Sequence, residues 1–271
     1  MCGLTGVIFG QQKRSKEDYQ EIKQIFTSLF LFSEQRGHHA SGLATLNIDG
    51  EIQLFKAPEA PSNLINYKDF DKVLNSVSNK TTLLIGHSRW KTVGSELNNR
   101  NNQPIVAGSI LGTHNGTIHN ATFLFRKYNL KRFAEVDSEI LFRMADASTQ
   151  GGAVNVNSFK DHLSDCEGSL SCVFASSKNP ECVYLFKGDK PLSLYYSPRL
   201  HVLIYSSNEK YILDSIEESE HWVPIEMKEK TMYQTCYNDF MYIISDSFTY
   251  GQVQPKPIQT KANRYSSFIE I

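Results

Sequence analysis

The sequence predicts an α+β domain in which two mainly antiparallel sheets are covered by helices, and three features carry that expectation. An apolar run closed by glycine opens the chain at Gly3 to Gly10, a strongly periodic helix begins at Ser15, and after about residue 168 short β-rich runs follow one another. At 271 residues the chain can bury a sizeable core in one compact unit.

Gly3 to Gly10 fits a buried strand with Cys2 on its leading end. From Ser15 to about Gln35, Ile22, Ile25, Phe26, Leu29 and Phe30 recur at helical spacing, and Ser15 can cap the start with Glu17 and Asp18 behind it. Gly42 to Ile48 and Ile52 to Lys56, separated at Asn47, Asp49 and Gly50, resemble a hairpin, and Thr81 to Trp90 reads as a further strand. Asp137 or Ser138 can cap a second helix running through Ile140, Leu141 and Met144, and Val156 to Cys166 reads as a third. The runs SLSCVFAS, CVYLFKG, LSLYYS, HVLIYSS and TMYQTCY then read as strands, interrupted by a short helical stretch around Tyr211 to Ile216. The tail from Gln252 to Ile271 contains Pro255 and Pro257 and lacks sustained periodicity, as a docking strap or a partly disordered end would. The expected division is a domain over residues 1–250 and a tail over 251–271.

Lys plus Arg total 28 against 29 Asp plus Glu, a formal charge of -1, so nothing marks a polyanion-binding surface and nucleic acid is not an expected partner. The opening MCGLTGVIFG lacks the basic flank and long apolar core of a signal peptide, and no run approaches membrane-spanning length, so a cytoplasmic protein without a membrane partner is expected. The cysteines, Cys2, Cys166, Cys172, Cys182 and Cys236, are odd in number and form no CxxC. That pattern argues against a disulfide framework and a structural zinc, and the last four read as core thiols.

A cysteine directly after the initiator methionine has an option closed to an internal one, because removal of Met1 leaves its own α-amino group beside its thiol. A terminal amine with a pKa of roughly 7.7 to 8.0 is partly unprotonated near neutrality and can accept the thiol proton. Taken alone, Cys2 reads better as a small residue near the start of a buried strand.

Six segments in order change that balance: MCGLTGV at residues 1–7, RGHHASGLA at 36–44, GHSRWKTVG at 86–94, NNQP at 101–104, THNGTIHN at 113–120 and VDSEIL at 136–141. Together they resemble the glutaminase domain of class II glutamine amidotransferases, the N-terminal-nucleophile hydrolases found in amidophosphoribosyltransferase and glucosamine-6-phosphate synthase, over the first 210 or so residues. The resemblance implies a four-layer α/β/β/α sandwich and makes Cys2 the nucleophile. It implies that Arg89 binds the α-carboxylate of glutamine, as a two-point guanidinium grip suits, where a lone arginine otherwise reads as a solvated charge. Trp90 and Thr92 resemble neighbouring pocket positions, although Trp90 could equally be a core aromatic.

The same resemblance assigns the oxyanion site to the Asn115 side-chain amide and the Gly116 backbone N–H, donors that can each lower the barrier by roughly 3 to 4 kcal/mol. Asn-Gly by itself reads as a tight hairpin turn. Asp137 aligns with an aspartate that binds the α-ammonium of glutamine, while its local context also allows a helix N-cap. His38, His39, His87, His114 and His119 show no ligand spacing and are assigned packing or supporting roles, with no metal. Val93 stands where glucosamine-6-phosphate synthases carry a histidine, and NNQP is closer to the amidophosphoribosyltransferase form.

No phosphosugar-isomerase region, phosphoribosyl-binding domain, P-loop or dinucleotide fingerprint is present, so no cofactor is implied. The leading expectation is a stand-alone glutaminase that forms a γ-glutamyl thioester on Cys2 and supplies ammonia to a separate synthase subunit. A self-sufficient hydrolase of another γ-glutamyl amide or peptide, and a non-catalytic glutamine sensor, are the alternatives.

Overall fold

The structure is a computed structural model and describes residues 1–217, 221–238 and 244–247. In chain order the elements are β1 (Gly3–Phe9), α1 (Lys16–Ser33), β2 (Ala40–Asn47), β3 (Ile52–Ala57), α2 (Pro61–Leu64), α3 (Lys68–Asn75), β4 (Thr81–Arg89), β5 (Ile105–Ala107) and β6 (Ile110–Ile118). There follow α4 (Ala121–Lys127), α5 (Ser138–Ala147), the short pair β7 (Thr149–Gln150) and β8 (Ala153–Val154), α6 (Val156–Ser164), β9 (Gly168–Ser176) and β10 (Asn179–Lys187). The last are β11 (Ser193–Ser197), β12 (Val202–Ser206), α7 (Glu209–Leu213), β13 (Val223–Ile225), β14 (Thr231–Cys236) and β15 (Ile244–Ser247).

A seven-stranded sheet runs β13-β11-β12-β1-β4-β2-β3 and a six-stranded sheet runs β15-β14-β10-β9-β6-β5. Three apolar layers show how they stack. Val7, Phe9 and Leu84 on one face of the first sheet pack with Phe26, Phe30, Phe70 and Ile212 from α1, α3 and α7. Leu4, Ile8, Leu83 and Ile85 on its other face meet Leu111, Val173, Ala175 and Leu185 of the second sheet. The far face of the second sheet, through Phe174 and Tyr184, packs on Leu141, Phe142, Phe159 and Leu163 of α5 and α6. The result is the four-layer α/β/β/α sandwich, and strands buried on both faces explain why their sequences read as unbroken apolar runs.

Local signals set the helix starts. Ser15 Oγ accepts the Asp18 N–H at 3.1 Å and Asp18 Oδ2 accepts the Ser15 N–H at 2.8 Å, a reciprocal capping box. The α-helix ends at Ser33 and a single 3₁₀ turn, Glu34–Arg36, carries the chain to Gly37. There a Cβ would stand 2.4 Å from the Arg89 carbonyl carbon, so glycine lets this segment lie against the end of β4. The helices at Lys68–Asn75 and Ala121–Lys127 have no counterpart in the sequence reading.

Two expectations are corrected. Cys182 and Cys236 are not core thiols: they form a disulfide between β10 and β14, facing each other across the ladder with Cα atoms 4.2 Å apart. They occupy a narrow, non-hydrogen-bonded pair, a register that sequence spacing cannot reveal. Neither Asp137 nor Ser138 caps α5: Asp137 occupies the cap position in helical conformation without a side-chain cap bond. Its Oδ2 instead accepts the Ile118 N–H at 2.6 Å, and Ser138 Oγ lies 2.9 Å from His114 Nδ1. The tail expected over 251–271 lies outside the described residues.

Candidate active site

β1 runs antiparallel to β4 with Gly3 opposite Ser88, which brings Cys2 to the end of β4 where Arg89 stands. Because Leu4, Leu83 and Ile85 face the second sheet, side-chain alternation puts Cys2 and Arg89 on that same inner face. Leu111 does the same for Asn115 on β6, and β6 packs against β1 and β4 across the sandwich.

Cys2 is half-buried; its Sγ donates to the Trp90 carbonyl at 3.8 Å and its own carbonyl accepts from Arg36 Nε at 2.9 Å. Burial pushes the thiol up, with the Trp90 hydrogen bond, the terminal amine and Arg89 acting against that rise and Asp137 adding to it. Arg89 and Asp137 are therefore both within electrostatic reach of the sulfur. Met1 precedes Cys2, and burial lowers the pKa of its amine. Cys166 and Cys172 are buried thiols, the former pushed up to about 12 and the latter higher still.

Arg89 is only 4% exposed and is held in place: Nη1 donates to Asn102 Oδ1 at 2.8 Å, and Nη2 donates to Val93 O at 2.6 Å and Gly94 O at 2.9 Å. Three of the five guanidinium N–H groups thus organise the 93–102 loop, leaving two for a ligand. Trp90 is not a core aromatic. It is 44% exposed and stands edge-on to His38 and His39 at 5.3 and 5.0 Å, with His39 Nδ1 accepting the Lys91 N–H. Thr92 is exposed on the same loop.

Asn115 and Gly116 do not form a hairpin turn; both lie within β6, paired with Ser171 and Leu170 of β9. Asn115 is 1% exposed and its Nδ2 has no acceptor among the described residues, a buried amide donor aimed into the inter-sheet space. Gly116 has φ +138° and a Cβ there would stand 1.9 Å from Ser169 O, so only glycine fits. His87 is fully buried and burial holds it neutral, down to about 3. His114 is also lowered by burial.

The sequence singled out NNQP without giving it a role, and the structure supplies one. Asn101, Asn102 and Gln103 are all buried, although amide side chains as a class are mostly exposed, so composition alone could not place them inside. Asn101 Nδ2 donates to Glu135 Oε2, Asn102 holds Arg89, and Gln103 makes paired bonds to the His114 backbone. Lys56, which donates to this segment's carbonyls, carried no sequence signal. Among the described residues no group of three or more His, Cys, Asp or Glu side chains could hold a metal ion, and no helix is long and apolar enough to cross a membrane.

No protein-family model matches the chain. It is 28% identical over 215 residues to a 7-cyano-7-deazaguanine synthase of Saccharolobus solfataricus, covering 78% of this chain and 44% of that protein. It is 27% identical over 196 residues to a glutamine–fructose-6-phosphate aminotransferase (isomerizing) of Geobacillus kaustophilus, covering 71% of this chain and 30% of the relative. Among solved structures, the glutamine phosphoribosylpyrophosphate amidotransferase of B. subtilis superposes with a TM-score of 0.65 at 17% identity, covering 93% of this chain and 50% of that one. The chain is homologous to class II glutamine amidotransferases. A glutamine aminotransferase class-II domain protein of Silicibacter pomeroyi shares the fold along its whole length, at a TM-score of 0.54 and 14% identity over 92% of this chain. The chain spans about half the length of the first curated relatives it matches.

Proposed function

We propose that this chain hydrolyses the side-chain amide of glutamine, with Cys2 as nucleophile once Met1 is removed. The observation that carries the reading is the buried, unpartnered Asn115 amide on the strand facing Cys2. A donor left without an acceptor costs about 1 to 3 kcal/mol of stability, a cost that makes sense where an oxyanion forms.

The freed Cys2 amine takes the thiol proton and the sulfur attacks the amide carbon of glutamine. Negative charge on the oxygen is met by Asn115 Nδ2 and the Gly116 N–H. The C–N bond then breaks, the protonated amine returns its proton to the nitrogen, and ammonia leaves a γ-glutamyl thioester that water converts to glutamate and free thiol. Arg89 and Asp137 take the α-carboxylate and α-ammonium, with Trp90 and Thr92 on the rim. Residues 1–250 form the glutaminase unit on this reading.

The ammonia goes to an acceptor synthase unit. Relatives about twice as long, named as a 7-cyano-7-deazaguanine synthase and a glutamine–fructose-6-phosphate aminotransferase, support an acceptor unit working with this kind of domain. The deciding experiment measures ammonia and glutamate from glutamine with purified protein, alone and with co-purifying proteins. Stoichiometric release of both, lost in Cys2→Ala, is expected; no release under either condition removes the assignment.

A further inference from the structure

Residues 102–104 lie across the site as a strap. Asn102 Oδ1 accepts from Arg89, while its Nδ2 donates to Glu96 O at 2.6 Å and Asn99 Oδ1 at 2.9 Å. Gln103 Oε1 accepts the His114 N–H at 2.6 Å, and its Nε2 donates to His114 O at 3.1 Å and Ser138 Oγ at 3.3 Å. One end of the strap therefore sets the arginine, and the other sets the residue before Asn115.

Lys56 fastens this strap to the first sheet. Its Nζ donates to Asn102 O at 2.6 Å and Pro104 O at 2.9 Å, on either side of Gln103. Across the β2–β3 ladder from Lys56, Gly42 lets Gln103 O come within 2.6 Å of where a Cβ would stand. Burial lowers the amine to about 8, and both its hydrogen-bond acceptors are neutral carbonyls. A desolvated amine without a carboxylate acceptor costs more than an apolar chain of the same length. Its retention at this point is explained by what it holds.

We propose that Lys56 is a positioning residue for substrate recognition: by fixing the Asn102 and Pro104 carbonyls it keeps the Asn102 side chain on Arg89, and so orients the guanidinium for the carboxylate of an α-amino acid. This rests on the proposed glutaminase function. Removing the amine leaves Gln103 tied to His114 by its own two bonds, so the loss falls on the Arg89 side and on binding.

The test is steady-state kinetics on the full chain. In Lys56→Met the KM for glutamine rises about five- to tenfold while kcat stays within about twofold, since an interaction made equally in ground and transition states is lost. Combined with Asn102→Ala, the KM stays within about twofold of Asn102→Ala alone, because both changes act through one route. If Lys56→Met yields no folded protein, Lys56→Gln, which retains one donor site, replaces it with an expected rise of about threefold. An unchanged KM in an active protein, or KM effects that multiply in the double variant, overturns the positioning role while leaving the glutaminase reading intact. Wild-type protein that neither releases ammonia nor reacts at Cys2 with a glutamine-like electrophile overturns that reading, and the role of Lys56 with it.

Discussion

The Cys2 thiol points at the Trp90 carbonyl, 3.8 Å away, and not at any basic side chain within hydrogen-bond reach. Burial favours the neutral thiol. On the proposed reading, the thiol is activated by the amine that Cys2 gains when Met1 is removed.

That reading expects active protein to begin at Cys2, with loss of Met1 seen by intact-mass analysis. The base acts when unprotonated, so kcat/KM should rise with pH and level off above the pKa of a terminal amine, roughly 7.7 to 8.0. A profile that falls over pH 6 to 8, or full activity with Met1 retained, contradicts the terminal-amine mechanism.

Cys2→Ser and Cys2→Ala should abolish turnover and shift the melting temperature by no more than a few degrees, since a half-buried small side chain is lost. A glutamine-like electrophile should modify Cys2 alone. Cys166 and Cys172 are buried thiols with raised pKa values and resist it, so peptide mapping that finds label chiefly on them would refute the assignment.

Asn115→Leu should lower kcat about 10²- to 10³-fold, the effect of deleting one oxyanion donor. Its stability should hold or increase, because the variant replaces an unpartnered buried amide with an apolar group of similar volume. Paired kinetics and thermal melts check both signs; a large fall in melting temperature with unchanged kcat would make Asn115 a structural residue.

Arg89→Lys should raise the KM for glutamine about 10- to 100-fold and also loosen the 93–102 loop, because lysine cannot serve Asn102, Val93 and Gly94 from one planar fork. Hydrogen exchange over the loop reads the second effect. Asp137→Asn should raise KM without that loop effect, since its backbone contact is to Ile118; identical exchange changes in both variants would mean that neither acts on substrate directly.

His87 gives the fold its own pH dependence. Its folded pKa of about 3 lies below the ordinary value of 6.5, so the unfolded chain binds the proton first and stability falls as pH drops from about 6.5 toward 3. Denaturant unfolding measured across that range should show the decline, and His87→Gln should flatten it.

The helix beginning at Ser15, the β2–β3 hairpin and the strands after residue 168 were legible because capping, apolar period and turn residues act within a few positions of the chain. The resemblance named Cys2, Arg89, Asn115, Gly116 and Asp137 as a set, from six short segments read together in their order along the chain. The partners of those side chains were not legible. Asn-Gly reads as a turn until the β6–β9 register places it inside a sheet, and Asp137 reads as a helix cap until β6 presents the Ile118 N–H. The Cys182–Cys236 bond and the Lys56 contact to Asn102 join positions 54 and 46 residues apart. Such pairings are set by strand register and by the stacking of one sheet on another, which depend on the whole apolar pattern at once. Local sequence therefore determined which elements form and which chemical groups the chain carries, while the packing of the two sheets decided which of those groups meet.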